Sequence, residues 1–465
     1  MKLLHLLLGR RLANREQQER KIGWIAGIPA IGLDALASSS YGPEAALTVL
    51  MPLGALGLAY VGWVIAPIVA LLLALYLSYR QTLLAYPSNG GAYTVAKENL
   101  GAGASLVAAA ALMIDYVLNV AVGISAGVGA LTSSVPALHP WTIELCLGVL
   151  AVVALANLRG TREAGLLFSV PTYLFVASFL GMVVWGVVKA ALGEARPIVP
   201  PPALPHPTES VGLWLVLRAF AAGCTAMTGV EAVSNSVGAF REPVVREARR
   251  TLAGICVLLG LLLAGIAVVT HAYGIGAMDQ TRSGYQSVLS QLAGAVAGRG
   301  ALYYLGMASL LAVLCLSANT SFVGFPRICR LVALDDYLPR GFAVADRRLV
   351  FSGGVLFLTA TGGALLIVFG GITDRLIPLF AVGAFLTFTM SQLGMIRHWR
   401  RAGPGQWHRL LLNAFGAAAT AVALAIIVAA KFLEGAWIVV IAIPLTISLF
   451  VAVRRYYHRI DAIVA

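Results

Sequence analysis

Apolar runs of roughly twenty residues, the length a helix needs to cross a bilayer, recur along the whole chain. Short polar stretches rich in Arg separate them. The pattern predicts about twelve membrane spans. They lie near 22–51, 58–79, 104–130, 142–157, 166–189, 212–238, 251–271, 300–324, 350–370, 375–395, 411–430 and 435–453. Backbone in lipid must satisfy its own hydrogen bonds, so runs of this kind predict an all-α membrane protein. The segment SVLSQLAGAV (287–296) is too short to span and is read as an amphipathic helix on the outer side.

Composition supports the same class. Hydrophobic residues make up 59% of the 465 positions, charged residues only 11%, and the mean hydropathy is +0.87. A soluble domain carries roughly 25% charged residues. The net charge of +13 would suggest nucleic acid in a soluble protein. Here the basic residues sit in loops and report topology. With the N-terminus inside, about 26 of the 33 Lys and Arg residues fall on the cytoplasmic side. They include Arg241, Arg246, Arg249 and Arg250 after the sixth run, and Arg327, Arg330, Arg340, Arg347 and Arg348 after the eighth. This asymmetry places both termini in the cytoplasm of an inner-membrane protein. The opening MKLLHLLLGRR has no small-residue cleavage site and reads as a cytoplasmic lead-in, not a signal peptide. The five cysteines form no CxxC pair, and most fall inside apolar runs, as buried small hydrophobes do.

The expected organisation is a cytoplasmic arm over 1–21, a transporter core over 22–395, and two further spans with a short tail over 396–465. The Pro-rich stretch RPIVPPPALPHP (196–207) is a stiff outer linker between two halves, about 22–192 and 212–395. The first span of each half is the least regular. In the first, LDALASSSYGPE (33–44) puts three serines before Gly42 and Pro43, and such residues disrupt regular helix. In the sixth, AGCTAMTGVEAVSN (222–235) suggests a break around Gly223 and Gly229. Interrupted segments at matching positions of two halves point to a transport site. The bland alternative is a proline kink in one and glycine packing in the other.

Acids inside apolar runs sharpen the picture: Asp34, Asp115, Glu144 and Glu231. Each costs a few kcal/mol at mid-membrane unless paired, neutralised or wet. Asp34 and Tyr41 are seven apart and share a helix face; Asp115 and Asn119 share one at i,i+4. Thr225, Thr228 and Glu231 form a stripe at i,i+3 spacing. Back-bonding to a carbonyl is the structural reading for the two threonines, and an internal pair the structural reading for Asp34 and Asp115. Glu231, beside the expected break, is the candidate proton-coupling acid. Glu144, near a span end, reads as interfacial. Glu44 reads as a complement to a helix start after Pro43. Arg218 either snorkels outward or pairs with an acid. Ser317, Asn319, Thr320 and Ser321 either glue helices together or line a path.

The hydroxyls and freed carbonyls around Ser39 are oxygen donors suited to a dehydrated hard cation. A bound carboxylate would instead want the exposed amides of a Gly-rich break. The residues therefore favour a monovalent cation over an amino acid. No nucleophile–His–acid set, Walker motif or dinucleotide fingerprint occurs, so no enzymatic activity and no cofactor is expected. An ion gradient is the simplest energy source.

Four stretches carry a family resemblance: LDALASSSYGPE (33–44), YPSNGGAYTVAKENLG (86–101), ANTSFVGFPR (318–327) and IPLFAVGAF (377–385). The chain resembles the amino acid–polyamine–organocation superfamily and, within it, the KimA-type potassium importers. The resemblance covers nearly the whole chain. It implies a LeuT-like fold of five-plus-five inverted repeats plus two helices, with discontinuous first and sixth helices. It implies proton-coupled potassium uptake, with transported K+ and H+. By position it implies ion-site roles for Tyr41, Asp115 and Thr228, with Asp34 as a second polar partner and Glu231 as the coupling acid. Ser39, Asn119 and Thr225 complete the candidate set. The sequence departs from the pattern at Asn119 and Gly123, where small hydroxyl residues are expected, at Phe380 in place of Tyr, and at Gly324 in place of Asp. It ends before the cytoplasmic C-terminal domain that supports dimerisation in that family; a homodimer remains among the assemblies implied. The expected partners are the lipid bilayer and a small cation or other small molecule, with no nucleic acid. The alternative is an amino acid or amine permease of the same fold, ahead of a passive channel or a non-transporting receptor.

Overall fold

The computed structural model describes residues 21–88, 91–159, 164–282, 284–343 and 352–464. The predicted arm therefore lies outside the described residues apart from Lys21. Among the described residues the regular elements are helices, without a strand. In chain order they are α1 (Trp24–Ile31), α2 (Leu33–Leu50), α3 (Ala55–Ala85), α4 (Ala92–Leu100), α5 (Ala102–Ser134), α6 (Thr142–Arg159), α7 (Ala164–Ala191) and α8 (Leu213–Gly223). There follow α9 (Ala232–Asn235), α10 (Val244–Tyr273), α11 (Val288–Ala297), α12 (Ala301–Leu334), α13 (Ser352–Val368), α14 (Thr373–Arg401), α15 (Trp407–Lys431) and α16 (Trp437–Val464). Nine helical stretches among the described residues are long and apolar enough to cross a membrane.

Burial separates centre from periphery. About 83% of the most apolar window is buried in both α5 and α14, against 22% in the α15–α16 stretch. The central helix α5 packs along α12 and α14, while α2 packs on α8 and α3 on α10. In lipid, helices gain little from burying apolar surface against one another, so close van der Waals fit must hold them. Small residues supply it. A Cβ placed on Gly123 or Gly127 of α5 would come within 2.7 Å of Ser317 Oγ or 2.8 Å of Cys315 Sγ on α12.

The first span is interrupted, but not where the serines suggested. Residues 33–50 form one helix through Gly42 and Pro43, and the break lies earlier, at Gly32 (φ −91°, ψ 8°), three residues past Pro29. Two physical facts account for the correction. Ser38, Ser39 and Ser40 donate their hydroxyls to the carbonyls of Ala35, Leu36 and Ala37, three residues back, at 2.6–2.7 Å. They bond within the helix and do not break it. Gly42 serves contact, not bending: a Cβ there would lie 2.4 Å from Ala226 Cβ and 2.8 Å from Ala226 Cα. The second interruption is where it was expected. The helix α8 ends at Gly223, a tight turn covers Cys224–Met227, and Thr228 is extended (φ −62°, ψ 149°). Gly229 then takes φ 83°, in the region that favours glycine, before the short α9.

Other expectations are adjusted as well. The segment read as an outer amphipathic helix is α11, and its residues Val288–Val296 are all buried. The Pro-rich linker runs across its end, with Ile198 N–H donating to Ala295 O at 2.8 Å. All five cysteines are free thiols.

Since Gly42 lets the α2 backbone rest on the Ala226 backbone, Gly42→Val should cost roughly 1–3 kcal/mol of overpacking. The expected outcome is a lower melting temperature of the detergent-solubilised protein than for the native chain. An unchanged melting temperature would show that this contact is not tight.

Candidate functional site

The interrupted segment is pressed against the start of α2. At Gly229 a Cβ would sit 2.6 Å from Asp34 Oδ2 and 2.8 Å from the Ala35 amide nitrogen. Only a residue without a side chain, and at ease with positive φ, fits there. Asp34 itself stands in the first turn of α2, just past the break, where unpaired amides favour negative charge. The fold thus delivers Asp34 from one broken element and Glu231 from the other. Asp115 and Asn119 come from the continuous α5 facing them. From the far side α14 closes in, where a Cβ on Gly383 would be 3.2 Å from Asp115 Cβ.

Asp34, Asp115 and Glu231 are all buried, with 5%, 2% and 3% of their surface exposed. They lie close enough to act on one another electrostatically. Asp34 Oδ1, Asp115 Oδ1, Glu231 Oε2 and Asn119 Oδ1 are buried atoms with no hydrogen-bond partner among the described residues. Buried polar atoms in native proteins are nearly always paired, and an unpaired buried charge is costlier still. Three carboxylate oxygens and one amide oxygen are thus acceptors without a donor among the described residues.

The remaining candidates divide into two kinds. Tyr41 OH and Thr228 Oγ1 share a hydrogen bond at 3.3 Å, joining α2 to the interrupted segment directly beside the acids. The Tyr41 ring tilts against Phe380 of α14, with centroids 6.2 Å apart. Thr228 Oγ1 itself donates back to Thr225 O at 3.0 Å and so meets Tyr41 as the acceptor. Ser39 Oγ donates to Leu36 O at 2.6 Å and Thr225 Oγ1 to Ala222 O at 2.7 Å. These two hydroxyl protons are spent on their own helices. Ser38, which had not been singled out, reaches across instead: its hydroxyl also approaches Ala226 O at 2.5 Å. Asn119 donates to Ser321 Oγ at 2.9 Å, and Asn157 to Asn319 Oδ1 at 2.7 Å. Part of the polar knot in α12 therefore does glue helices. Asn319 and Thr320 also line a cavity.

That cavity, about 220 Å³, has Asp34 and Glu231 in its wall together with Tyr116, Asn235 and Arg327. A second, much smaller one of about 20 Å³, room for a single water, lies on the other side of Tyr41 and is lined by Ser40, Glu44, Gln280, Tyr285 and Asp374. Glu44 does not act at a helix start as its sequence position suggested. Because α2 continues through Pro43, the carboxylate points into this small cavity and accepts a 2.7 Å hydrogen bond from Tyr285 OH. Arg218 finds an acid, Glu434, at 2.6 Å. Sequence reasoning missed Tyr116 and Asn235. Their one signal is i,i+4 spacing to Glu231 in Asn235, and it carries no weight until the break is placed.

A transport protein is what this architecture defines: an integral membrane bundle with a polar, acid-lined break at its centre. The family model for amino acid permeases matches residues 31–451, and the chain belongs to that family. It is 39% identical over 457 residues to the potassium transporter KimA of Bacillus subtilis (strain 168), a match that covers 98% of this chain and 74% of that protein.

If the orphaned oxygens and the Tyr41 hydroxyl receive the substrate, Tyr41→Ala and Asp115→Ala should each weaken substrate affinity at least tenfold, about 1.4 kcal/mol. Isothermal titration or uptake kinetics reads this directly. Native affinity in both variants would move the site elsewhere.

Proposed function

We propose that this protein is a proton-coupled potassium importer. The observation that carries the reading is the group of three buried carboxylates with orphaned oxygens and no ion pair among the described residues. A small cation supplies what such a group lacks. Potassium sheds its water readily in exchange for carbonyl, hydroxyl and carboxylate oxygens. The acceptors here include Tyr41 and Thr228 hydroxyls as well as the acids. An amino acid would bring its own carboxylate against three others, which like-charge repulsion opposes. The name of the 39% identical relative, a potassium transporter, agrees with the chemistry.

Proton coupling follows from charge balance. Three buried carboxylates in one site repel one another and cannot all remain charged with nothing between them. Either a cation or a proton must offset them, so the two compete or alternate. Glu231 is placed for this role: it lines the 220 Å³ cavity and belongs to the interrupted segment, the part of the site with the least regular backbone.

The geometry supports a twelve-span reading. Nine stretches qualify by length and apolarity. The pair α1–α2 supplies one more span, bent at Gly32, and the 17-residue α13 another. The stretch Trp407–Ala462, at 56 residues, would be roughly 84 Å long as a single helix, far beyond the ~30 Å core. Gly435, at φ 131° and ψ −11°, turns it, so it counts as two. The interruptions then fall in spans one and six, the matching positions of a LeuT-like five-plus-five inverted repeat. Arg80 and Arg401 lie near the ends of α3 and α14, Arg409 at the start of α15 and Arg454 in the second half of α16, and Arg327 lines the 220 Å³ cavity near the end of α12. By the positive-inside rule that end is cytoplasmic, with both termini on it and the protein in the inner membrane facing inward.

Uptake into proteoliposomes, with a panel of monovalent cations and amino acids and with or without an inward proton gradient, tests the reading. Potassium should accumulate, faster with the gradient, and amino acids should not. Glu231→Gln should bind potassium and fold normally yet lose the acceleration by the proton gradient. Undiminished acceleration in that variant would remove Glu231 from the coupling role, and accumulation of an amino acid in place of potassium would overturn the substrate.

A further inference from the structure

A second set of orphaned polar atoms lies away from the cavity, in the seam between α3, α14 and α15. Tyr79 OH, Ser391 Oγ, both ends of the Gln392 amide and Trp399 Nε1 are buried without a hydrogen-bond partner among the described residues. The Tyr79 hydroxyl faces Ser391 and lies within electrostatic reach of Glu231. Its ring stands edge-on to Phe388, centroids 6.1 Å apart, which holds it against α14. One step further, Gln392 lies under α15: a Cβ on Gly416 would be 2.6 Å from Gln392 Oε1. Three residues back on the same face of α15, Asn413 accepts from Ser78 at 2.7 Å and donates to Gln81 Oε1 at 2.8 Å and to Arg409 O at 2.9 Å. The Arg409 guanidinium covers the Trp399 ring at 4.8 Å. The line starts on α3, which packs on α9 directly after Glu231, and runs to Arg409.

Leaving so many donors and acceptors bare inside a membrane protein costs about 1–3 kcal/mol for each. Ordered water removes that cost wherever two to four polar partners converge; Tyr79 and Ser391 face each other across α3 and α14, and the Gln392 amide and the Trp399 indole follow along α14. We propose that this seam holds a file of water and conducts protons between Glu231 and the cytoplasmic side, apart from the cavity that the cation uses. The inference rests on the proton-coupled reading above.

The chemistry of the seam separates the two ions. It contains neutral hydroxyls and amides and no carboxylate, so a potassium ion would find neither charge balance nor enough oxygens to replace its water. A proton needs only a continuous chain of donors and acceptors. The carboxyl of Glu231 gives its proton to the first water, each water passes one on, and one proton leaves at the far end. No oxidant or other reactant is consumed. The titratable neighbours of Glu231 are Asp34, Asp115, Tyr41, Tyr79 and Tyr116. At the far end stand Arg80, Arg249 and Arg409, near one another, and their positive charge favours handing the proton to bulk water.

The test uses the full chain in proteoliposomes with a trapped pH dye and an imposed potassium gradient. Gln392→Leu and Tyr79→Phe should each reduce proton movement roughly tenfold, as for a barrier raised by about 1.4 kcal/mol, with potassium affinity within about twofold of native. Ser391→Ala serves in place of either if it does not fold. Native proton flux in all folded variants overturns the seam as a route. Equal losses of affinity and flux also overturn it, because they reveal a structural role. If the native protein moves potassium with no proton at all, the coupling reading itself fails, and that result is separate from the first two.

Discussion

The contact between Gly229 and Asp34 sets the terms for the whole molecule. It brings a broken backbone from one half of the chain to within touching distance of a helix start from the other. Asp34, Glu231, Tyr41 and Thr228 meet only because that approach is so close. Every other packing feature near it works to the same end. Gly42 lets α2 settle on the Cys224–Met227 turn, and Gly383 lets α14 close over Asp115. In lipid, where apolar burial between helices yields little, backbone proximity of this kind is the available source of cohesion.

Such an arrangement is thermodynamically expensive in one place. Three acids lie buried without an ion pair among the described residues, and one oxygen of each, with Asn119 Oδ1, has no hydrogen-bond partner there. A protein built for stability alone would place an Arg or Lys among them, as this chain does elsewhere. Arg218 and Lys431 both bind Glu434 at 2.6 Å, and Lys97 binds Asp335 at 2.6 Å. Withholding a partner from the central acids leaves their attraction available to something mobile. Transport requires this, because a permanently neutralised site would bind no cation.

Cavities flank the site. The one of about 220 Å³ reaches Asp34 and Glu231, while the small one has Tyr41, bonded to Thr228, in its wall and shares Asp374 and Ile377 with a further cavity of about 240 Å³. Tyr41 therefore lies between the cavity that reaches the acids and those on the Asp374 side. The break at Gly229 directly follows Thr228, the hydrogen-bond partner of Tyr41.

Much of this was legible in the chain itself. Apolar run length showed a helical membrane protein, because a bilayer allows no other use for such runs. Acids within those runs marked Asp34, Asp115 and Glu231, because isolated charge in lipid is too costly to be incidental. The break around Gly229 was visible in its glycines. Other features depended on three-dimensional neighbours. Gly42 and Pro43 looked like a break, yet the serines bond within the helix and Gly42 meets Ala226, so the bend falls at Gly32. Glu44 looked like a helix-end charge until Tyr285, 241 residues away, supplied its partner. Tyr79, Ser391 and Gln392 sit in two helices more than 300 residues apart, with no sequence spacing to connect them. Periodicity records which residues must leave water; which polar groups then remain without partners depends on contacts between distant segments, and those exist only once the helices have packed.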